Sequence, residues 1–233
     1  MSKVVAINGS PRMEKGYTHI VLTPFLQGMK DAGADVELLY ASHLDVEPCT
    51  GEFQCWYGKN AGECYIDDDM QELYPKLKEA ETLVLATPVY IPLPGEMQNV
   101  INRLVALIEP MLETREGRTR ARFHQDVKIQ RFVLVSTSSW WEMGNFDTVM
   151  RIVEELAEGT SVEFSGAVLR PHAFLMKKDG ELTEDGRAVQ QVARRAGYEL
   201  VKEGKADPGT LEQVSRPLIA QEELRLRYNA ALE

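Results

Sequence analysis

The residues best suited to chemistry lie near the start of the chain, in Asn8-Gly9-Ser10-Pro11-Arg12 and on through Gly16-Tyr17-Thr18-His19 into an apolar helical pattern. Val4, Val5, Ala6 and Ile7 precede them as a continuous apolar run, the pattern of a central parallel strand covered on both faces. Gly9 permits a sharp turn, and Pro11 removes one donor while fixing its own φ. From Ser10 to Thr18 the remaining backbone N–H groups, the hydroxyls of Ser10, Tyr17 and Thr18, and the guanidinium of Arg12 can converge on the positive end of the next helix, expected over Thr18 to Ala32. That convergence suits a phosphate monoester; an ordinary turn between strand and helix is the competing reading. Lys15 precedes Gly16 and no Gly-Lys-Ser/Thr follows, so the loop is not built for a triphosphate. Neither Gly9 nor Gly16 has a glycine two residues on, so the dinucleotide fingerprint is absent too. A terminal phosphate held by main-chain donors and hydroxyls, without a metal, is the remaining candidate.

The second chemically unusual segment holds all three cysteines, Cys49, Cys55 and Cys64. Their spacing matches neither a zinc ribbon nor a C-x-x-C redox pair, and in a reducing compartment they read as structural or reactive free thiols, with a residual metal site or cluster ligands missing one member as the less favoured alternatives. Asp67-Asp68-Asp69 follows and suits the N-terminus of a helix from Met70 to Ala80, where negative charge meets the helix dipole. Metal binding by these carboxylates is the sharper and less favoured alternative.

The elements that must position these groups alternate. Asp35 to Tyr40 reads as a strand near a sheet edge, Thr82 to Thr87 as a buried strand, and Phe132 to Ser136 as another. Pro88-Val-Tyr-Ile-Pro-Leu-Pro-Gly95 forms a stiff apolar loop after the Thr82 strand and opens a helix to about Leu107. The segment Glu113 to Arg131, with Arg115, Arg118, Arg120 and Arg122, reads as a long exposed loop. Asp147 suits the cap of a helix to about Glu158; Ser161 to Leu169 is the last strand and Leu182 to Glu203 the last long helix. Strands and helices alternating five times predict an α/β fold, a doubly wound five-stranded parallel sheet of order 2-1-3-4-5 with helices on both faces. Residues 1–204 would form this domain, and residues 205–233 a C-terminal helical extension whose short pattern from Ile219 to Tyr228 packs on the domain or on a neighbouring subunit.

With 233 residues the chain can bury a substantial core, and its formal charge of −10 argues against a nucleic-acid partner. No apolar run is long enough to span a bilayer, and the N-terminus enters a strand directly, so a cytoplasmic protein with no membrane partner is expected.

In such sheets ligands sit at the carboxyl ends of strands where the strand order switches, and the flavodoxin-like order places FMN between the first and third strands. Gly9 to His19, Pro88 to Gly95 and Ser136 to Phe146 fall on that edge. A phosphate pocket beside a flat apolar slot describes FMN. Asn-Gly-Ser-Pro-Arg after the first strand, Pro48-Cys49, Gly62-x-Cys64 before Asp-Asp-Met, and Thr-Pro-Val-Tyr after the third strand together resemble the NAD(P)H-dependent FMN reductase family, in a branch related to iron-sulfur flavoproteins. The resemblance covers about Lys3 to Phe174. It implies that Ser10, Arg12, Tyr17, Thr18 and His19 hold the FMN phosphate, that Pro88, Val89, Tyr90 and Ile91 carry the ring, and that the loop of Thr137, Ser138 and Trp140 closes one side. Cluster-bearing relatives have a compact Cys-x-x-Cys-x-x-Cys core that this chain lacks, so an iron-sulfur cluster is not expected. The implied activity is hydride transfer from NAD(P)H to FMN and onward to a small acceptor, such as a quinone, a flavin, a nitro compound or a metal complex. No triad is needed, because the cofactor makes the bonds. A non-enzymatic electron carrier and a flavin-free scaffold for a phosphometabolite or partner are the alternatives. A homodimer or larger homo-oligomer is expected, since a flavin at a sheet edge is often walled by another subunit.

Overall fold

The computed structural model describes residues 2–57 and 61–230. In chain order its elements are β1 (Lys3–Asn8), α1 (Tyr17–Asp31), β2 (Asp35–Tyr40), α2 (Gln54–Tyr57), α3 (Met70–Glu79), β3 (Thr82–Pro88), α4 (Gly95–Arg103), β4 (Ile108–Arg115), β5 (Arg118–Phe123), β6 (Arg131–Thr137), α5 (Asp147–Thr160), β7 (Glu163–Arg170), β8 (Lys177–Lys178), β9 (Glu181–Leu182), α6 (Glu184–Glu203), α7 (Pro208–Ser215) and α8 (Gln221–Ala230). The principal sheet is parallel, in the order β2-β1-β3-β6-β7. Taken along the chain, its five strands have the expected flavodoxin-like order.

Strand alternation divides the core into two layers. Val5, Ile7, Leu83, Leu85, Phe132 and Leu134 pack against α3, α4 and α5, while Val4, Ala6, Val84, Ala86, Val133 and Val135 pack against α1 and α6. On the second face α1 and α6 approach closely because glycines meet backbone: a Cβ on Gly28 would lie 1.8 Å from Arg194 O, and one on Gly197 would lie 1.9 Å from Phe25 O.

Much of the charged segment from Glu113 to Arg131 is not the exposed loop that its composition suggests. It forms the antiparallel hairpin β4–β5, closed by Glu116 and Gly117, both at positive φ as the tight hairpin turns of this twist require. Its polar sequence disguised the strands because half of their residues are exposed and none of β4 is buried, so no apolar alternation marks them. Arg118 and Arg120 instead pair with Glu155 and Glu158 on α5.

Asp69 stands at the N-cap of α3 without a side-chain capping bond. Asp68 instead accepts from the Met70 N–H, at 3.0 Å, and takes on a longer-range partner described below. Asp147 lies inside the first turn of α5, not at its cap. The helices after residue 205 are held to the end of β7. Fully buried Arg170 donates to the carbonyls of Val214 (2.6 Å) and Arg216 (2.9 Å), and the Trp141 indole donates to Ile219 O at 3.0 Å. No helix among the described residues is long and apolar enough to cross a membrane.

His172 completes this attachment. Its buried Nε2 faces the Leu218 N–H at 2.9 Å and the Arg170 guanidinium at 3.1 Å. Two donors converge on that nitrogen, so the ring must be neutral with its proton on Nδ1. Burial, with the Arg170 charge beside it, pushes His172 down from 6.5 to about 4. The unfolded chain therefore binds a proton between these values that the native chain refuses, and stability must fall as pH drops through that window. Denaturant midpoints should show a loss of about 2 kcal/mol attributable to this group between pH 7 and pH 5, absent in His172→Gln. Equal pH slopes for the two proteins would contradict the assignment.

Candidate functional site

β1 connects to β2 on one side of the sheet and β3 connects toward β6 on the other, so the loops leaving β1 and β3 diverge and open a crevice at the carboxyl edge. The loops after β1, β3 and β6 line a cleft of about 200 Å³ there. Ser10, Thr18, Thr137 and Ser138 contribute buried side chains to it, with Arg12 and Tyr17 at the same end and Pro88, Val89 and Tyr90 along the other wall. Nine of the residues singled out from the sequence thus share one cavity.

Local bonds fix this loop. Asn8 Oδ1 accepts from the Ser10 N–H at 2.9 Å, the Gly9 N–H donates across to Ala86 O at 2.7 Å, and the Thr18 and Thr137 hydroxyls meet at 2.8 Å, tying the start of α1 to the end of β6. Gly16 is the N-cap of α1, in extended conformation, and offers no capping side chain. The first-turn N–H groups of Tyr17, Thr18 and His19 have no partner within the helix, since they precede its first i→i−4 bonds. A Cβ on Gly16 would lie 2.5 Å from Ser10 Oγ, so glycine keeps this corner open. Among the described residues no carboxylate lines the cleft, whereas exposed Arg12 does, its guanidinium 5.8 Å from the Tyr17 ring centroid. Helix dipole, hydroxyls and one arginine act together in favour of a bound dianion.

Three of the expected residues stand apart from the cleft lining. Successive helical side chains diverge by about 100°, so with Thr18 facing the sheet His19 turns elsewhere, its Nδ1 3.0 Å from the Tyr40 hydroxyl. Only its main-chain N–H remains at the helix start. Ile91 projects fully into solvent beyond the cleft wall. Trp140 lines an adjacent cavity. The N–H groups of Val89 and Tyr90 are engaged within the protein, donating to Thr137 O (2.8 Å) and Pro92 O (3.3 Å). Gly16, Ser139 and Ala173 complete the lining. Ala173, from the segment after β7, had no recognisable signal, being a small apolar residue brought in by its N–H bond to Ser138 O at 2.9 Å.

The cysteines form a separate place. Cys49, Cys55 and Cys64 line a second cavity of about 300 Å³ together with Asn102 and Arg103, all three as free thiols. Burial, and the neighbouring Cys64, push the Cys55 thiol up. Among the described residues no group of three or more His, Cys, Asp or Glu is arranged to hold a metal ion.

Residues 2–140 match the model of a family described as NADPH-dependent FMN reductase. The chain belongs to this family. The matched region runs from β1 through β6 and includes every cleft residue named above except Ala173. Curated relatives include an iron-sulfur flavoprotein of Methanocaldococcus jannaschii, 36% identical over 38% of this chain and 44% of the relative, and one of Methanosarcina thermophila, 31% identical over 45% and 53%. The chain thus spans about half the length of the curated relatives it matches. Among solved structures the fold is shared with an NAD(P)H:quinone oxidoreductase from Methanothermobacter marburgensis, at 18% identity and TM-score 0.55 over 85% of this chain and 96% of that one. It is shared as well with an FMN-dependent NADH-azoreductase from Bacillus anthracis in complex with FMN, at 13% identity and TM-score 0.53 over 88% and 97%.

Proposed function

We propose that the cleft holds FMN and that the protein is an oxidoreductase carrying reducing equivalents from NAD(P)H to a small acceptor. The single observation that carries this reading is the open N-terminus of α1, with its buried hydroxyls and, among the described residues, no carboxylate, placed where the strand order reverses. A space of about 200 Å³ suits the phosphate and polyol, leaving the flavin ring on the more exposed rim of Pro88, Val89 and Tyr90. A bound flavin would supply uptake of hydride from the nicotinamide and delivery of two electrons to the acceptor. The chain's own part is to bind and orient. Ser10, Thr18 and the first amides of α1 hold the phosphate, Arg12 adds charge, and Pro88 stiffens the ring platform. Anaerobic titration of FMN-loaded protein with NADH and with NADPH should bleach the flavin absorbance within seconds. Slow reduction by both nucleotides would favour an electron carrier, and a chain that stays colourless with excess FMN would end both flavin readings.

The same reading extends to assembly. Half-exposed Tyr90 and fully exposed Ile91 flank the cleft, and a second copy covering them would complete the wall of the ring site. Light scattering should report a dimer or larger species at micromolar concentration; a strict monomer would refute this.

A further inference from the structure

A cavity of about 370 Å³ adjoins the cleft, and Ser139 lines both. One wall is the loop after β6, with Trp140 and Trp141; the other is α8, with Leu224 and Tyr228. We propose that this cavity seats an uncharged planar aromatic electron acceptor of the quinone class, with Tyr228 of the C-terminal helix as one of its binding residues. The proposal rests on the FMN reading above, which makes the neighbouring cleft the source of electrons.

Three observations point to that occupant. The first is shape, because the rings of Trp140 and Tyr228 lie within 24° of parallel with centroids 6.5 Å apart. Both remain substantially exposed, at 67% and 44%, so their faces are available for stacking. The second is charge. Glu142 and Arg225 are the ionic groups of the lining, one of each sign, and each already has a partner: Glu142 accepts from Gln221 at 2.5 Å, and Arg225 pairs with Glu222. A lining with no net charge suits a neutral ligand and offers nothing to the pyrophosphate of a nicotinamide nucleotide. The third is construction. Tyr228 packs edge-on against Phe174 at 5.5 Å and its hydroxyl reaches Ser139 O at 3.5 Å, while the Trp141 indole fastens the approach to α8 through Ile219 O. This wall is built from the protein's own contacts, independently of any second subunit.

The test is isothermal titration calorimetry with menadione, an uncharged naphthoquinone, on the full chain with and without FMN. Menadione should bind both forms, and Tyr228→Ala should weaken it about fivefold or more, the value of one lost aromatic contact. Tyr228→Phe, which keeps the ring, should restore most of that affinity. FMN affinity, followed separately by flavin fluorescence, should be the same in all three proteins. Menadione affinity unchanged in Tyr228→Ala would overturn the proposal, as would equal losses for menadione and FMN, which would place Tyr228 in the cofactor cleft instead. A wild-type chain that takes up no FMN defeats the cofactor reading alone, because the menadione titration is read on the flavin-free chain as well. Circular dichroism of Tyr228→Ala, whose side chain is partly exposed on the last helix, should match the parent.

Discussion

Asp68→Ala should lose about 3–5 kcal/mol of unfolding free energy, a large share of what a domain of this size possesses. Arg103 is fully buried, and both carboxylate oxygens of Asp68 face its guanidinium, at 2.5 Å and 3.1 Å. Arg103 also donates to Glu47 O at 2.9 Å, and Asp68 accepts from the N–H groups of Glu47 and Met70. Burial alone would raise the Asp68 carboxyl, but Arg103 and these two amides outweigh it and hold the group below 3.8. Its contribution is therefore complete above that value and is lost as pH falls through the lower folded one. Truncation to alanine would leave a guanidinium buried without its counter-charge, the costly half of the asymmetry in buried pairs. Replacing both partners by apolar residues, Asp68→Leu with Arg103→Met, should recover most of the loss, because no charge then remains to be compensated. Urea denaturation of the three proteins measures this directly; an Asp68→Ala midpoint matching the parent would refute it. A second readout comes from position, since Arg103 lines the thiol cavity and the pair ties the cysteine segment to α4. Cys55 should react faster with a disulfide reagent once the tie is cut.

This pair also shows where local pattern stops carrying information. β1, β3 and β6 were visible because strands buried on both faces need unbroken apolar runs, and Val4 to Ile7, Thr82 to Ala86 and Phe132 to Val135 provide them. The strand order follows from alternation, and the three cleft loops follow from the order, so most of the cleft lining is legible in the sequence. The hairpin β4–β5 was not, since β5 meets α5 through Arg118 and Arg120, and charged residues in sequence look like solvent-facing loop. Asp68 read as part of a helix start because nothing local reveals an arginine 35 positions away. Arg170 and His172 gave no signal at all: their partners are mainly backbone groups of residues 214–218, which any sequence could supply. Trp140 lies on one of the three cleft loops yet lines the adjacent cavity, because a loop's residues share a neighbourhood while their side chains diverge.

The second large effect concerns the open helix start. Gly16→Asp should weaken FMN binding about a hundredfold or more while leaving the fold as stable as the parent. Position 16 is in extended conformation at the N-cap of α1, a geometry that aspartate adopts readily and in which its carboxylate accepts from the N2 or N3 amide. For stability the exchange is worth only a few tenths of a kcal/mol, since glycine is itself a tolerated cap. The new Cβ would crowd Ser10 Oγ, the end of a short side chain that can rotate away, and would press on the Met13 carbonyl at 3.2 Å, which a shift of a few tenths of an ångström relieves. For the ligand the same change is severe: the carboxylate would take the donors meant for phosphate, reverse the local charge, and sit beside the incoming dianion. Each charge-assisted hydrogen bond forfeited is worth about 1.5–3 kcal/mol, so loss of two accounts for the hundredfold. Riboflavin, which lacks the phosphate, supplies the control that separates this mechanism from general damage to the cleft. Its weaker binding should hardly respond to Gly16→Asp, because the proposed seat of the ring is the rim of Pro88, Val89 and Tyr90, at the other wall from the start of α1. Parallel fluorescence titrations of FMN and riboflavin against parent and variant decide the matter: equal losses for both flavins would mean that the anion seat is not at the start of α1.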